Sequence, residues 1–352
     1  MKKLLPLAIA AAMAVPAAAM ADATVYGKIH AAYDFTDTQI NWDNDTENWY
    51  SLDDSVAYLN SHDSRVGIKG SEDLGNGLKA IYQLEFGVDM VEDSMTWSGR
   101  NQYVGLAGGF GTVLVGRHDT PLKMSQGKFD LFNDTYADMK RVIPGEDRVG
   151  NVGAYISPDF AGFTFVGAMV AGEEGDAAAD PAAKPKLTGV ADHFSLAGMY
   201  NNGPFYGALA YNSYDLGLYD AKPSMWRATL VFKMDMFQVG ALWSTTDYDT
   251  SGVSDSDAWG LSGAFTFGGA HTIKAQYLNG DNPVGTISDV VGTFTPNVKV
   301  PVPLNDEATQ WTVGYEYGFS KRTSLYAQYN NYEIDSVQDD EGTVSLGMIH
   351  NF

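Results

Sequence analysis

Residues 77–87 read GLKAIYQLEFG, and side-chain character alternates along them. Leu78, Ala80, Tyr82, Leu84 and Phe86 share one parity, while Lys79, Gln83 and Glu85 fall on the other. A period of two is the signature of an extended strand with an apolar and a polar face. The same pattern recurs near both ends of the chain. In residues 24–35, Val25, Ile29, Tyr33 and Phe35 oppose Lys28, His30 and Asp34. In residues 343–352, Val344, Leu346, Met348 and Phe352 oppose Thr343, Ser345 and Asn351.

Between strands of this kind the connections alternate in length. Short ones are DLGNG (73–77), GGFG (108–111), PDFAG (158–162), NNGP (201–204), MDM (234–236), FGGA (267–270) and FSKR (319–322), most of them tight-turn compositions. Long polar ones span 36–54, 89–98, 119–147, 173–192, 216–224, 249–256, 281–307 and 335–342. These fifteen connections join about sixteen strands, an even number, as a closed membrane barrel requires. Short turns on one side and long loops on the other also orient such a barrel, with its loops outside the cell.

Composition agrees. Residues 1–21, MKKLLPLAIAAAMAVPAAAMA, carry two lysines, an apolar stretch and an A-x-A ending, which predicts a cleaved signal peptide before a single domain at 22–352. Its removal takes the basic count from 22 to 20 against 44 acids, a net charge of −24. A surface that acidic repels phosphates, which excludes nucleic acid as a partner. The chain has no cysteine, so an exported fold must close without disulfides, and hydrogen-bonded closure of a barrel is one way. Mean hydropathy is slightly negative, which does not argue against membrane insertion, because a membrane strand shows lipid only its alternate residues.

The stretches TVYGKIHAAYDF (24–35), SRVGIKGSEDLGNGLKAIYQLEFGV (64–88), RNQYVGLAGGFGTVLVGRHDTP (100–121) and DRVGNVGAYISPDFAGF (147–163), with the terminal phenylalanine, resemble the Gram-negative general porin family. The resemblance covers the whole mature chain and is densest over 24–172. It implies an all-β fold, a closed antiparallel sixteen-stranded transmembrane barrel of the bacterial outer membrane. It further implies a homotrimer, a water-filled channel for ions and small polar solutes, and a third external loop folded inward as a constriction. By motif position the basic wall residues are Lys28, Arg65, Arg117 and Arg148, with Arg100 and Arg141 as further candidates that could instead anchor a loop. Parity supports Lys28, and it supports Arg65, which shares a face with Lys69 opposite Val66 and Ile68. The constriction-loop candidate, 119–147, offers Asp130, Asp134, Asp138, Glu146 and Asp147. The usual P-E-F-G motif of that loop is replaced by FDLFNDTYADMK, which leaves open which acids line the passage. Phe352 matches the terminal aromatic signal that barrel-assembly machinery reads in the family.

Other functions find little support. The six histidines have no metal-ligand spacing, no G-x-S-x-G occurs, and without cysteine there is no thiol chemistry, so neither metal, cofactor nor enzyme is expected. A substrate-selective channel is the nearest alternative, and a barrel enzyme a remote one. The acidic balance leads to an expectation of cation preference.

Overall fold

The computed structural model describes residues 23–37, 39–43, 48–52, 55–92, 96–171, 193–214, 223–248, 255–281, 285–286, 301–302, 306–337 and 340–352. The expected signal peptide and the whole of the 173–192 connection lie outside them. In chain order the barrel strands are β1 (Thr24–Thr36), β2 (Val56–Ser61 and Arg65–Gly75), β3 (Leu78–Val88), β4 (Trp97–Gly108), β5 (Gly111–Asp119) and β6 (Arg148–Ile156). There follow β7 (Phe163–Val170), β8 (His193–Asn202), β9 (Phe205–Tyr214), β10 (Ser224–Met234) and β11 (Phe237–Asp247). The last five are β12 (Ser256–Phe267), β13 (His271–Asp281), β14 (Glu307–Gly318), β15 (Thr323–Ile334) and β16 (Glu341–Asn351). The seventeen segments of the sheet make sixteen strands, because both pieces of β2 pair with β1. At the break between them Asp63 adopts a left-handed backbone (φ 51°), a bulge of the kind that re-aims side chains inside a barrel.

Each strand pairs antiparallel with the next, and the ring closes where β16 meets β1, from Lys28 opposite Asn351 to Thr36 opposite Thr343. At the seam Gly27 N–H donates to Phe352 O at 3.0 Å and Phe352 N–H donates to Gly27 O at 3.1 Å. The Phe352 ring lies over Gly27, filling the space a Cβ there would need. That position therefore demands glycine. The β2–β3 turn is the two-residue Asn76–Gly77, both with positive φ, the backbone that matches strand twist in a tight hairpin.

The alternation read from the sequence becomes two walls. Ile29, Tyr33, Leu84, Val344, Leu346 and Met348 stand exposed on the outside, whereas Lys28, His30, Asp34, Glu85, Thr343 and Ser345 are buried on the lumen side. Outward aromatics pair near the short turns, as in Phe163–Tyr200 (4.6 Å) and Phe237–Phe265 (4.9 Å), and again toward the long loops, as in Tyr211–Trp226 (4.7 Å) and Trp311–Tyr329 (5.2 Å). Two such girdles bound the apolar band that faces hydrocarbon.

Leu230, 67% exposed in the middle of β10, tests this partition. Leu230→Arg should lower the unfolding free energy in lipid vesicles by about 2–4 kcal/mol, measured by urea titration; a negligible effect would mean that this face does not meet lipid.

Candidate functional site

The connection from β5 to β6, residues 120–147, turns into the barrel. Phe129, Phe132, Ala137, Met139, Val142 and Ile143 are all fully buried. It opens with a single helical turn, α1 (Pro121–Met124), where Thr120 Oγ1 accepts from Lys123 N–H at 3.2 Å and proline takes the first position, which needs no hydrogen-bond donor. A 3-10 turn (Met139–Arg141) follows, with Asp138 accepting from Lys140 N–H at 2.9 Å.

Two features of the wall seat this loop. Lumen-side glycines leave hollows for its apolar side chains: a Cβ on Gly260 would sit 2.8 Å from the Phe129 ring, and one on Gly314 would sit 2.8 Å from the Phe132 ring. Glutamines then satisfy its backbone and neighbouring polar atoms, as buried polar groups require. Gln238 donates to Lys128 O at 2.8 Å and Gln310 to Ala137 O at 2.8 Å. Gln276 accepts from Leu131 N–H and donates to Asp130, both at 3.0 Å, and Gln328 donates to Thr135 at 3.2 Å. Farther round, Arg227 donates to Glu146 and to Pro144 O, each at 2.5 Å. The loop is thus held against β8–β16.

An open space lies between the loop and the wall of β2–β6. It is a cavity of about 370 Å³, lined from the wall by Asp63, Arg65, Arg100, Asp119 and Arg148, and from the loop by Lys123, Asp134, Asp138, Lys140 and Glu146 among others. Five basic and five acidic side chains face one space. The wall carries one net positive charge and the loop one net negative charge, so opposite signs face each other around the cavity. Most are paired: Arg65 with Asp134 at 2.9 Å, Arg100 with Glu85 at 2.7 Å and Asp63 at 2.5 Å, and Arg148 with Asp119 at 2.9 Å. Lys28, just behind, reaches Asp134 at 2.8 Å. Burial alone would raise the Asp134 carboxyl, but Lys28 and Arg65 overcome it and hold the group well below the usual carboxylate range. A carboxylate depressed in this way adds its tie above the ordinary value and loses it only as pH falls through the lower native one. In Asp130, burial and the neighbouring Asp138 carboxylate act the other way and push the pKa up.

Of the residues expected from sequence, the cavity gathers Arg65, Arg100, Arg148, Asp134, Asp138 and Glu146. Arg141 is elsewhere, bonded to Glu341 at 2.7 Å and stacked 4.0 Å from the Tyr332 ring centroid, where it pins the loop to β15 and β16. Asp130 turns inward to the Phe132 and Met139 N–H groups, each at 3.0 Å. Asp147 accepts from Tyr214 at 3.2 Å. Neither lines the cavity. Arg117 departs furthest from its expected place, since it shares its face with the exposed Val113 and Val115 and its Nε donates to Gly99 O on the outside. A register shift between Gly116 and His118 returns Asp119 to the lumen but leaves Arg117 outward. Sequence reasoning missed Asp63, Asp119, Lys123 and Lys140 in the cavity, and Arg227 behind it. Only Arg227 had a signal: it alternates with Trp226 and Leu230, the outward pattern of β10.

A closed antiparallel barrel with a loop narrowing its lumen is the architecture implied by the motifs, and the description "Gram-negative porin" matches residues 8–336. The chain belongs to the Gram-negative porin family. It is 30% identical over 344 residues to the major outer membrane protein P.IB of Neisseria gonorrhoeae, covering 92% of this chain and 91% of that one. The P.IB of Neisseria meningitidis serogroup B is also 30% identical, over 336 residues, with 92% and 90% covered. Among solved structures, an anion-selective porin from Comamonas acidovorans superposes with a TM-score of 0.70 at 21% identity, covering 94% of this chain and 99% of that chain. A Salmonella typhi OmpF complex with daunomycin gives 0.68 at 13% identity, covering 94% and 97%. At those identities the structures speak for the fold. This porin is therefore a non-enzymatic channel of the outer membrane.

The glycine seats give a direct test. Gly314→Val should push Phe132 off the wall at a cost of about 1–3 kcal/mol, and single-channel recordings should show added open-state noise while the barrel still migrates as folded on an unheated gel. Quiet recordings from the variant would mean the seat does not hold the loop.

Proposed function

We propose that ions and small hydrophilic solutes cross this porin by passive diffusion through the passage between the inward loop and the wall of β2–β6. Lys28, Arg65, Arg100 and Arg148 act there against Asp134, Asp138 and Glu146. Opposed charges across a narrow aqueous gap orient dipolar solutes and water, which favours small polar molecules over large apolar ones. We further propose a weak preference for cations that arises outside the narrowing. The observation that carries it is the contrast between a charge-balanced cavity and a mature chain of −24. The surplus acids sit in the connections: residues 36–54 alone hold six acids and no base.

The working unit is a homotrimer in outer-membrane lipid, a reading supported by family membership. Residues 1–21 direct export and are removed. Phe352, its ring exposed at the end of β16, presents the aromatic signal to the barrel-assembly machinery.

Screening separates the two sources of selectivity, because the Debye length shrinks from about 10 Å at 0.1 M salt to about 3 Å at 1 M. In planar bilayers with a salt gradient, the reversal potential should show cation preference near 0.1 M and fade toward molar salt. Asp134→Asn, which frees Lys28 and Arg65 at the narrowing, should shift it toward anions at both salts. Anion preference of the unaltered channel at low salt would overturn the reading.

A further inference from the structure

Arg117 faces away from the pore, on the outer surface of a protein whose mature chain is strongly acidic. β5 runs from a short turn at Gly109 and Phe110 up to the inward loop, so Arg117 sits near the external end of the membrane-facing wall. Among the described residues its one side-chain hydrogen bond is from Nε to Gly99 O at 3.1 Å, and no carboxylate lies within ion-pair distance of it. Gln102 and Asn151 border the same shallow recess. A cation in that position is arranged to receive an anionic oxygen group.

Directly below, and sharing Val115 and Gly153 with that recess, runs an apolar groove of about 570 Å³. Its rims are side chains that stand well out from the wall: Val113 and Val115 on one side, Tyr155, Met169 and Leu196 on the other. Its floor is cut by the absence of side chains at Gly153 and Gly167. A Cβ at Gly153 would meet nothing within 4 Å, and one at Gly167 would meet only the Leu196 side chain at 3.3 Å. Strand geometry does not demand glycine at Gly153, so the hollow is a property of the surface.

The geometry points to a binding site for one acyl chain of a lipid with a net-anionic phosphate headgroup, the chain in the glycine-floored groove and the phosphate on the Arg117 guanidinium. Charge and shape decide the occupant together. An acyl chain matches a long apolar groove already immersed in hydrocarbon, and a phosphate oxygen gives an outward guanidinium at the membrane interface a charge-assisted hydrogen bond. The inference rests on the barrel's place in the outer membrane and is independent of ion selectivity.

The test uses the purified full barrel in detergent, titrated by native mass spectrometry with phosphatidic acid and, in parallel, with phosphatidylcholine of the same chains. The unaltered protein should retain phosphatidic acid about tenfold better, a difference worth about 1.4 kcal/mol. Arg117→Gln should erase that preference while leaving phosphatidylcholine retention unchanged. Gly153→Leu, which fills the groove from a position with open space around it, should reduce retention of both lipids. Persistence of the preference in Arg117→Gln would overturn the headgroup assignment. Unchanged lipid retention in Gly153→Leu, with altered heat stability of the oligomer, would overturn the groove assignment and give that surface to contact between copies of the chain.

Discussion

Hydrocarbon offers a peptide group no hydrogen-bond partner, and everything else in this porin follows from that. A sheet in such a solvent tolerates no free edge, because each unpaired N–H or C=O costs several kcal/mol. The chain meets the demand by bringing its last strand back to its first, from Lys28 opposite Asn351 to Thr36 opposite Thr343, with Gly27 and Phe352 bonded at the seam. Closure then dictates the side-chain pattern. With lipid outside and water inside, every strand must alternate, and a slip of one residue would exchange its two faces.

A loop that enters the lumen meets the same demand from within. Residues 120–147 form little regular structure of their own, so their backbone finds partners on the wall, and Gln238, Gln276, Gln310 and Gln328 provide several of them. Amides suit the task, since they donate and accept without adding charge to a space where an unpaired charge is expensive. The glycines beside them admit Phe129 and Phe132, so the loop is held by apolar contact as well as by hydrogen bonds. Rigidity of the narrowing and solubility of the lumen are reached together.

Charge divides the molecule in a different way. Around the passage nearly every cation has a close anion, with Asp134 shared between Lys28 and Arg65, whereas the acidic surplus lies in the connections. Paired charges at short range are little affected by salt, and dispersed ones are screened within a few ångströms to a nanometre. The barrel therefore combines a narrowing with an almost fixed local field and a surrounding field that changes with ionic strength.

Most of the fold was legible in the residues. Alternation in segments such as 77–87, and connections alternately short and long, determine strand number, antiparallel order and which face meets lipid, because a period of two and a two-sided solvent leave few other solutions. The same parity identified Lys28 and Arg65 as lumen residues, and the family resemblance marked 119–147, the third long connection, as the inward loop. Tertiary structure alone decided which charges meet. The register shift after Gly116 leaves Arg117 outward with Val113 and Val115 while turning Asp119 inward, and the docking of an irregular loop sends Asp130 and Arg141 to the wall while bringing Lys123 and Lys140 to the water. Parity is a local property that persists along a strand, but a bulge resets it and a loop has none. The contents of the passage are therefore set by long-range packing.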